Sequence, residues 1–417
     1  MRNRYRRPRR DRSRSVRAHL SEAAGPDRRG TTMSHPRTAT RLVAVAAAAL
    51  TAVAVSLPAA QAAPRASTLR HEAPRDLEIG TAVWGQRDLL DYDRKNPTEF
   101  QRILAAEFSS ITPENDMKWA EIHPEPDVYD FSGADAVVAF AKANNMEVRG
   151  HTLLWHSQNP EWVTQAAATW TCDEARAVLE DHIRTVVGRY AGEIYEWDVA
   201  NEIFQDDWDA GGVRLRTEAN PFLAACADDP VALIGDAFRW AHEADPQAVL
   251  FLNDYNAEGI NTKTNAYYAL AQELLADGVP LGGMGSQGHL SLQYGFDDTI
   301  QENFERFAAL GLKVAVTEAD VRMPLGEDGE PTAEQIALQA ERYDAMLEAC
   351  LNVAACTSFT VWGFDDERSW VPFVFPEGYA TIMTGDFEKK PAYDALLETL
   401  TNATPGISPR TPPGLNR

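Results

Sequence analysis

The feature that most constrains this chain is an alternation. Short apolar or β-branched runs recur at 79–83, 109–112, 147–153, 193–199, 249–254, 283–289, 313–317 and 356–362. Between and after them, apolar residues fall at helical spacing over 100–108, 134–144, 172–190, 233–244, 262–276, 299–310, 333–349 and 393–401. Apolar runs of this length suit strands covered on both faces, and the helical stretches are the crossovers that parallel strands need. Eight of each predict an α/β fold, a (β/α)8 TIM barrel in a single domain. The structural rival is an open, doubly wound sheet. Its dinucleotide-binding form is disfavoured because no GxGxxG follows the first run.

The ends of the chain read differently from its body. Residues 1–62 hold 13 Lys and Arg against 3 Asp and Glu; the rest holds 39 − 13 = 26 against 62 − 3 = 59. The apolar stretch 42–57 follows Arg37 and Arg41 and precedes Ala60-Gln61-Ala62, the three parts of an export signal. It is short and Ala-rich beside the roughly 20 residues a membrane span needs. Read from Met33, residues 33–62 have the dimensions of such a signal. The expected organisation is an N-terminal extension and signal peptide over 1–62, a domain over 63–400, and a disordered Pro- and Gly-rich tail over 401–417 with no second module. The product would be a secreted, extracellular protein, free of the membrane after cleavage and monomeric. Its acidic body disfavours nucleic acid.

The four cysteines form an even set, which favours disulfides in an exported chain. Cys350 and Cys356 are close in sequence and are expected to pair, which leaves Cys172 with Cys226. No CxxC or Cys/His spacing suggests a metal site, and no cofactor is expected.

In a barrel, function lies where strands end. Those ends carry Glu114, Asn115 and Lys118 after the second run; His151 and Trp155 after the third; and Asn201 and Glu202 after the fourth. Tyr255 and Asn256 follow the fifth run, Gln287 and His289 end the sixth, Glu318 and Asp320 follow the seventh, and Trp362 and Trp370 close the list. Singly, each has an ordinary explanation: a surface carboxylate, a structural histidine, a core tryptophan. Together they put carboxylates, amides, imidazoles and indoles around one mouth. That mixture suits a sugar, whose C–H faces stack on indoles and whose hydroxyls need directed bonds. Cleaving a glycosidic bond takes two carboxyl groups, and Glu202 and Glu318 stand on facing sides of the ring. The run Asp365-Asp366-Glu367 reads as a solvated loop.

The segments TPENDMKW (112–119), RGHTLLWH (149–156), WDVANE (197–202), GSQGHL (285–290), TEADV (317–321) and TVWG (360–363) resemble glycoside hydrolase family 10, the xylanase family, in order and over about 77–400. The resemblance implies retaining hydrolysis of internal β-1,4 bonds, with xylan and xylo-oligosaccharides as partners. It makes Glu202 the acid/base, carrying the proton for the leaving oxygen. It makes Glu318 the nucleophile, kept ionised by hydrogen bonds from His289 or Gln287, with Asp320 orienting His289. Asn201 would hold the sugar 2-hydroxyl. Glu114, Asn115, Lys118, His151, Trp155 and Trp370 would build the glycone subsites and Trp362 would floor the cleavage point. Tyr255 and Asn256 would touch the aglycone side. The Cys350/Cys356 pair also resembles a disulfide of many members.

There are departures: Ala319 stands where leucine is usual, Gly288 where serine is usual and Glu367 where lysine is common. The loop over 204–230, with Trp208 and Cys226, is long. A cellulase or mixed glucanase on the same barrel is the alternative enzyme; relative hydrolysis of xylan and carboxymethylcellulose separates the two. A non-catalytic carbohydrate-binding protein would be expected to lack one of the two glutamates.

Overall fold

The computed structural model describes residues 67–206, 212–327 and 329–403. The export-signal reading, the tail beyond residue 403 and Trp208 lie outside these residues. Among the described residues nine strands form: β1 (Glu78–Val83), β2 (Ser110–Pro113), β3 (Glu147–Gly150), β4 (Glu196–Asn201), β5 (Val249–Asp254), β6 (Gly283–Ser286), β7 (His289–Ser291), β8 (Lys313–Arg322) and β9 (Cys356–Val361). Each of β1 to β5 pairs in parallel with the next; β6 then pairs with β8, β8 with β9, and β9 returns to β1. The ring of eight is closed, so the fold is the barrel and not the open sheet, and the ring has no exposed edge. The ninth strand, β7, lies outside the ring on β8.

Seven helices connect the ring strands, Glu99–Glu107, Ser132–Asn144, Cys172–Arg189, Pro230–Ala244, Thr262–Ala276, Ile300–Ala309 and Ala333–Leu351, and an eighth, Pro391–Ala403, follows β9. Their starts are written locally. Thr98, Thr171 and Thr332 each accept from the backbone three residues on, while Gln101, Glu174 and Gln335 bond back. Such boxes satisfy two otherwise unpaired donors. Asp229 caps the helix that opens with Pro230, where a missing N–H costs nothing. Both disulfides form as expected, Cys172–Cys226 and Cys350–Cys356.

Several boundaries move. The third predicted strand stops at Gly150 instead of residue 153, and the fourth starts at Glu196 and runs through Asn201. The sixth breaks after Ser286 because Gly288 turns with φ +78°, a conformation glycine adopts without penalty. The chain then re-enters extended structure as β7. The last helix continues through Ala403, so the predicted boundary at 400 falls inside it. The long loop after β4 is partly folded: Phe204 bridges Leu215, and Pro221–Ala225 is a short helix capped by Asn220.

Candidate active site

A cleft of about 1100 Å³ opens at the C-terminal ends of the strands. Its walls include Lys118, His151, Trp155, Glu202, Tyr255, Asn256, Gln287, His289, Glu318, Trp362 and Trp370, eleven of the residues singled out in the sequence. The remaining four, Glu114, Asn115, Asn201 and Asp320, are not part of the lining. Asn201 and Asp320 bond to residues that are. Asn115 accepts from Lys118 Nζ at 3.2 Å. Burial raises the Glu114 carboxyl's affinity for its proton against the opposing charges of Lys118 and Arg87. Burial likewise lowers Lys118, whose Nζ lies 5.1 Å from the Trp155 ring centre.

Glu318 does not end its strand. It lies inside β8, where pairing with β9 slips between Val316 and Ala319. A bulge of this kind re-aims side chains beside a site. Its carboxylate is buried and surrounded by donors. Asn253 Nδ2 donates to Oε1 at 2.8 Å, His289 Nε2 lies 3.3 Å from Oε2, and His151 Nδ1 lies 3.8 Å from Oε1. Burial alone would push this carboxyl up; the His151 charge, the His289 bond and charge, and Arg149 together outweigh it and hold it at about 2. His289 Nδ1 in turn meets Asp320 Oδ2 at 2.8 Å, and Trp370 Nε1 donates to the same oxygen at 2.8 Å. Burial lowers His289, but Asp320 and Glu318 overcome that and raise it to about 10, so it is a cation at neutral pH.

Beneath Glu318 runs a buried polar spine that the sequence reading did not single out. Arg149 Nη1 donates to Glu196 at 3.2 Å and its guanidinium also pairs with Asp198, whose Oδ2 meets His151 Nδ1 at 2.9 Å. The signal was present: Arg149 and His151 are two apart on β3 and its exit, and Glu196 and Asp198 two apart on β4, so each pair shares a face. His151, Asp198 and Glu318 offer ligand atoms within 4.8 Å of one another. Arg149 already supplies the positive charge there, and His151 Nδ1 is committed to Asp198.

Glu202 is held in another way. It follows β4 directly and takes φ +52°, the left-handed region, which costs a non-glycine residue roughly 1–2 kcal/mol. Its N–H donates to Asn253 O at 2.9 Å, and Gln287 Nε2 donates to its Oε1 at 3.2 Å. Of the two donors expected for Glu318, His289 fills that role and Gln287 serves Glu202 instead. The reason is geometric: Asn253, which the sequence reading missed, occupies the amide position beside Glu318. Its Nδ2 also donates to Asn201 Oδ1 at 2.9 Å, and its own oxygen accepts from Thr317 Oγ1 at 2.7 Å. Asn201 Nδ2 is left buried without a partner. His156 Nδ1 stands 3.7 Å from Glu202 Oε2, and burial keeps that imidazole below its usual value.

Tyr255 and Asn256 line the cleft, yet their polar atoms face a charged cluster. Tyr255 Oη donates to Asp206 Oδ2 at 2.7 Å, and Asn256 Nδ2 to Asp206 Oδ1 at 3.2 Å. Trp362 packs edge-on to His151 with centroids 5.2 Å apart. The Asp365–Glu367 run is not a solvated loop. Asp365 is buried and accepts from Arg368, and Asp366 pairs with Lys390 at 2.5 Å; only Glu367 is exposed.

Comparison with known proteins agrees with this geometry. Glycosyl hydrolase family 10 matches residues 69–399. Endo-1,4-beta-xylanase B of Thermotoga neapolitana is 38% identical over 72% of this chain and 83% of its own length. Endo-1,4-beta-xylanase A of Humicola insolens is 37% identical over 77% of this chain and 82% of its own. Among solved structures, native xylanase 10B from Thermotoga maritima superposes with a TM-score of 0.73 at 38% identity, covering 81% of this chain and 98% of that one. Xylanase 10B from Thermotoga petrophila in complex with xylobiose gives 0.73 at 37% identity, covering 82% and 99%.

Proposed function

The chain belongs to glycosyl hydrolase family 10 and is an endo-1,4-β-xylanase; from that premise we propose that it cleaves xylan with retention of configuration, using Glu318 as nucleophile and Glu202 as acid/base, after export from the cell. The observation that carries the mechanism is the contrast between two carboxyl groups in one cleft. Glu318, ringed by His289, His151 and Asn253, is held ionised to about pH 2. An ionised, buried carboxylate is what a double displacement needs as nucleophile.

The steps balance with two carboxyls and one water. A Glu318 oxygen bonds to the anomeric carbon as the bond to the leaving sugar oxygen breaks, and the Glu202 proton passes to that oxygen. Water then attacks the same carbon, its proton passes to Glu202, and Glu318 leaves as a carboxylate. Two inversions give net retention. Asn201 Nδ2, buried and unpartnered, is a donor for the sugar 2-hydroxyl. Leaving it unpaired costs roughly 1–3 kcal/mol, and a bound sugar removes that cost. Trp370, which lines the cleft and is fixed through Asp320, is the side chain we assign to excluding a glucose hydroxymethyl group in favour of xylose. The two disulfides suit an oxidising compartment and support export.

Proton NMR of the first sugar released from xylohexaose tests the mechanism. The β anomer is expected; an α product overturns retention. Mature protein recovered outside the cell, beginning after Ala62, tests export.

A further inference from the structure

The Glu202 carboxyl meets one amide bond, from Gln287, while its backbone is gripped on every side. The peptide group joining Glu202 to Ile203 is held at both ends. Its carbonyl accepts from Arg216 Nε at 2.8 Å, and its N–H donates to Tyr267 Oη at 3.2 Å. With the Glu202 N–H on Asn253 O, three consecutive backbone groups around the left-handed residue are engaged.

The two clamps converge on one buried cluster. Arg216 Nη2 donates to Tyr255 Oη at 2.7 Å, which donates to Asp206 Oδ2. Tyr267 Oη donates to Asp254 Oδ2 at 2.6 Å. Lys263, one helical turn before Tyr267, closes the circuit: its Nζ reaches Asp206 Oδ1 at 3.1 Å, Asp254 Oδ1 at 2.8 Å and the Tyr255 carbonyl at 3.0 Å. Every charge in the cluster is paired and buried, so its geometry is stiff. Neither Arg216 nor Tyr267 lines the cleft.

We infer that Arg216 and Tyr267 are positioning residues for the proton donor: by clamping the peptide that follows Glu202, they hold its backbone in the left-handed conformation that delivers its carboxyl to the leaving oxygen. The left-handed residue is not self-supporting, because an L side chain disfavours it; it persists where surrounding bonds over-determine it. The circuit supplies those bonds from two directions. The inference rests on the acid/base reading of Glu202 and adds to it the residues that aim it.

Two substrates separate aim from fold. Xylopentaose needs a proton on its leaving oxygen; 2,4-dinitrophenyl β-xylobioside carries a leaving group that departs without one. For Tyr267→Phe and Arg216→Met, kcat/KM on xylopentaose is expected to fall about tenfold, through kcat with KM held, while the dinitrophenyl value falls less than about threefold. The quantity read is the ratio of the two values on one sample, so any inactive fraction cancels. A ratio equal to that of the parent enzyme overturns the inference. Glu202→Ala run in parallel distinguishes the two levels of reading. If Glu202→Ala shows no such split, the acid/base reading fails. If Glu202→Ala splits strongly, with azide restoring turnover, and the other two variants do not, the positioning role alone fails.

Discussion

Glu318 and Glu202 share a cleft, and their surroundings differ in kind. Around Glu318 the protein acts on the carboxylate itself: an amide, two imidazoles and a deeper guanidinium, on ring strands, the exit of β3 and the start of β7, fix its charge. Around Glu202 the protein acts on the backbone, through Arg216 from the loop after β4 and Tyr267 from the helix after β5. The difference follows from the tasks. A nucleophile must keep one charge state, so burial among donors serves it. A group that gives and retakes a proton must be free to change charge, so tight bonding to either form would work against one half of the cycle. Fixing the main chain and leaving the carboxyl lightly bonded meets that need.

The largest test of this contrast is removal of the nucleophile. Glu318→Ala is expected to lower kcat by at least about 10⁴-fold on xylopentaose and on the dinitrophenyl substrate alike, because no leaving group compensates for a missing attacking atom. Calorimetric binding of xylopentaose should survive. A loss confined to the poor leaving group would exchange the roles of the two glutamates.

Next in size are the disulfides, which sort the two regions by stability. Cys172–Cys226 spans 54 residues and ties the helix before β4 to the loop after it, the loop that carries Arg216; Cys350–Cys356 spans 6 residues and ties the end of the helix before β9 to the first residue of β9. Chain-entropy arguments give about 4 kcal/mol for the first closure and about 2 kcal/mol for the second. Denaturant melts of the two paired Cys→Ser variants should keep that order. Only the first should also lower the xylopentaose-to-dinitrophenyl ratio. An equal effect of both on that ratio would detach the loop from the aim of Glu202.

The Glu318 side was far more legible in the sequence than the Glu202 side. Glu318 and Asp320 follow the predicted run 313–317 at period-two spacing, and His289 closes the predicted run 283–289, so the sequence marks all three. The eight strands and helices were legible because apolar runs and capping threonines act locally. The charged residues within β3 and β4, Arg149, Glu196 and Asp198, interrupt apolar runs and so read as noise, although their two-residue spacing set them on shared faces. Asn253 was hidden for the same reason. Arg216, Lys263, Asp206 and Tyr267 become a cluster only when a loop and a helix far apart in sequence fold together, and no local spacing encodes that. Gly288 was noted as a departure, but its turn, and hence β7, depends on a backbone angle that residue identity permits without requiring.

The smallest expected effect bears on how the Glu318 side sets charge. His289 donates to Glu318 and is itself held protonated by Asp320. Glu318 sits at about 2 against an ordinary 4.5, so its contribution to stability is present above pH 4.5 and lost as pH falls through about 2. His289 sits at about 10 against 6.5, so its contribution is full below pH 6.5 and lost as pH rises through about 10. The pair therefore stabilises most between these ordinary values. The melting-temperature difference between the parent and His289→Gln should be widest there and narrow towards both extremes. In the same variant Glu318 loses a donor and a positive charge while His151 and Asn253 remain, so its carboxyl should rise part of the way back. The acid limb of kcat/KM should move up by about one pH unit, a roughly tenfold loss at low pH with little change near neutrality. The xylopentaose-to-dinitrophenyl ratio near neutral pH, which reads the aim of Glu202, should stay in place. If that ratio falls as well, separate control of charge on one side and aim on the other does not hold.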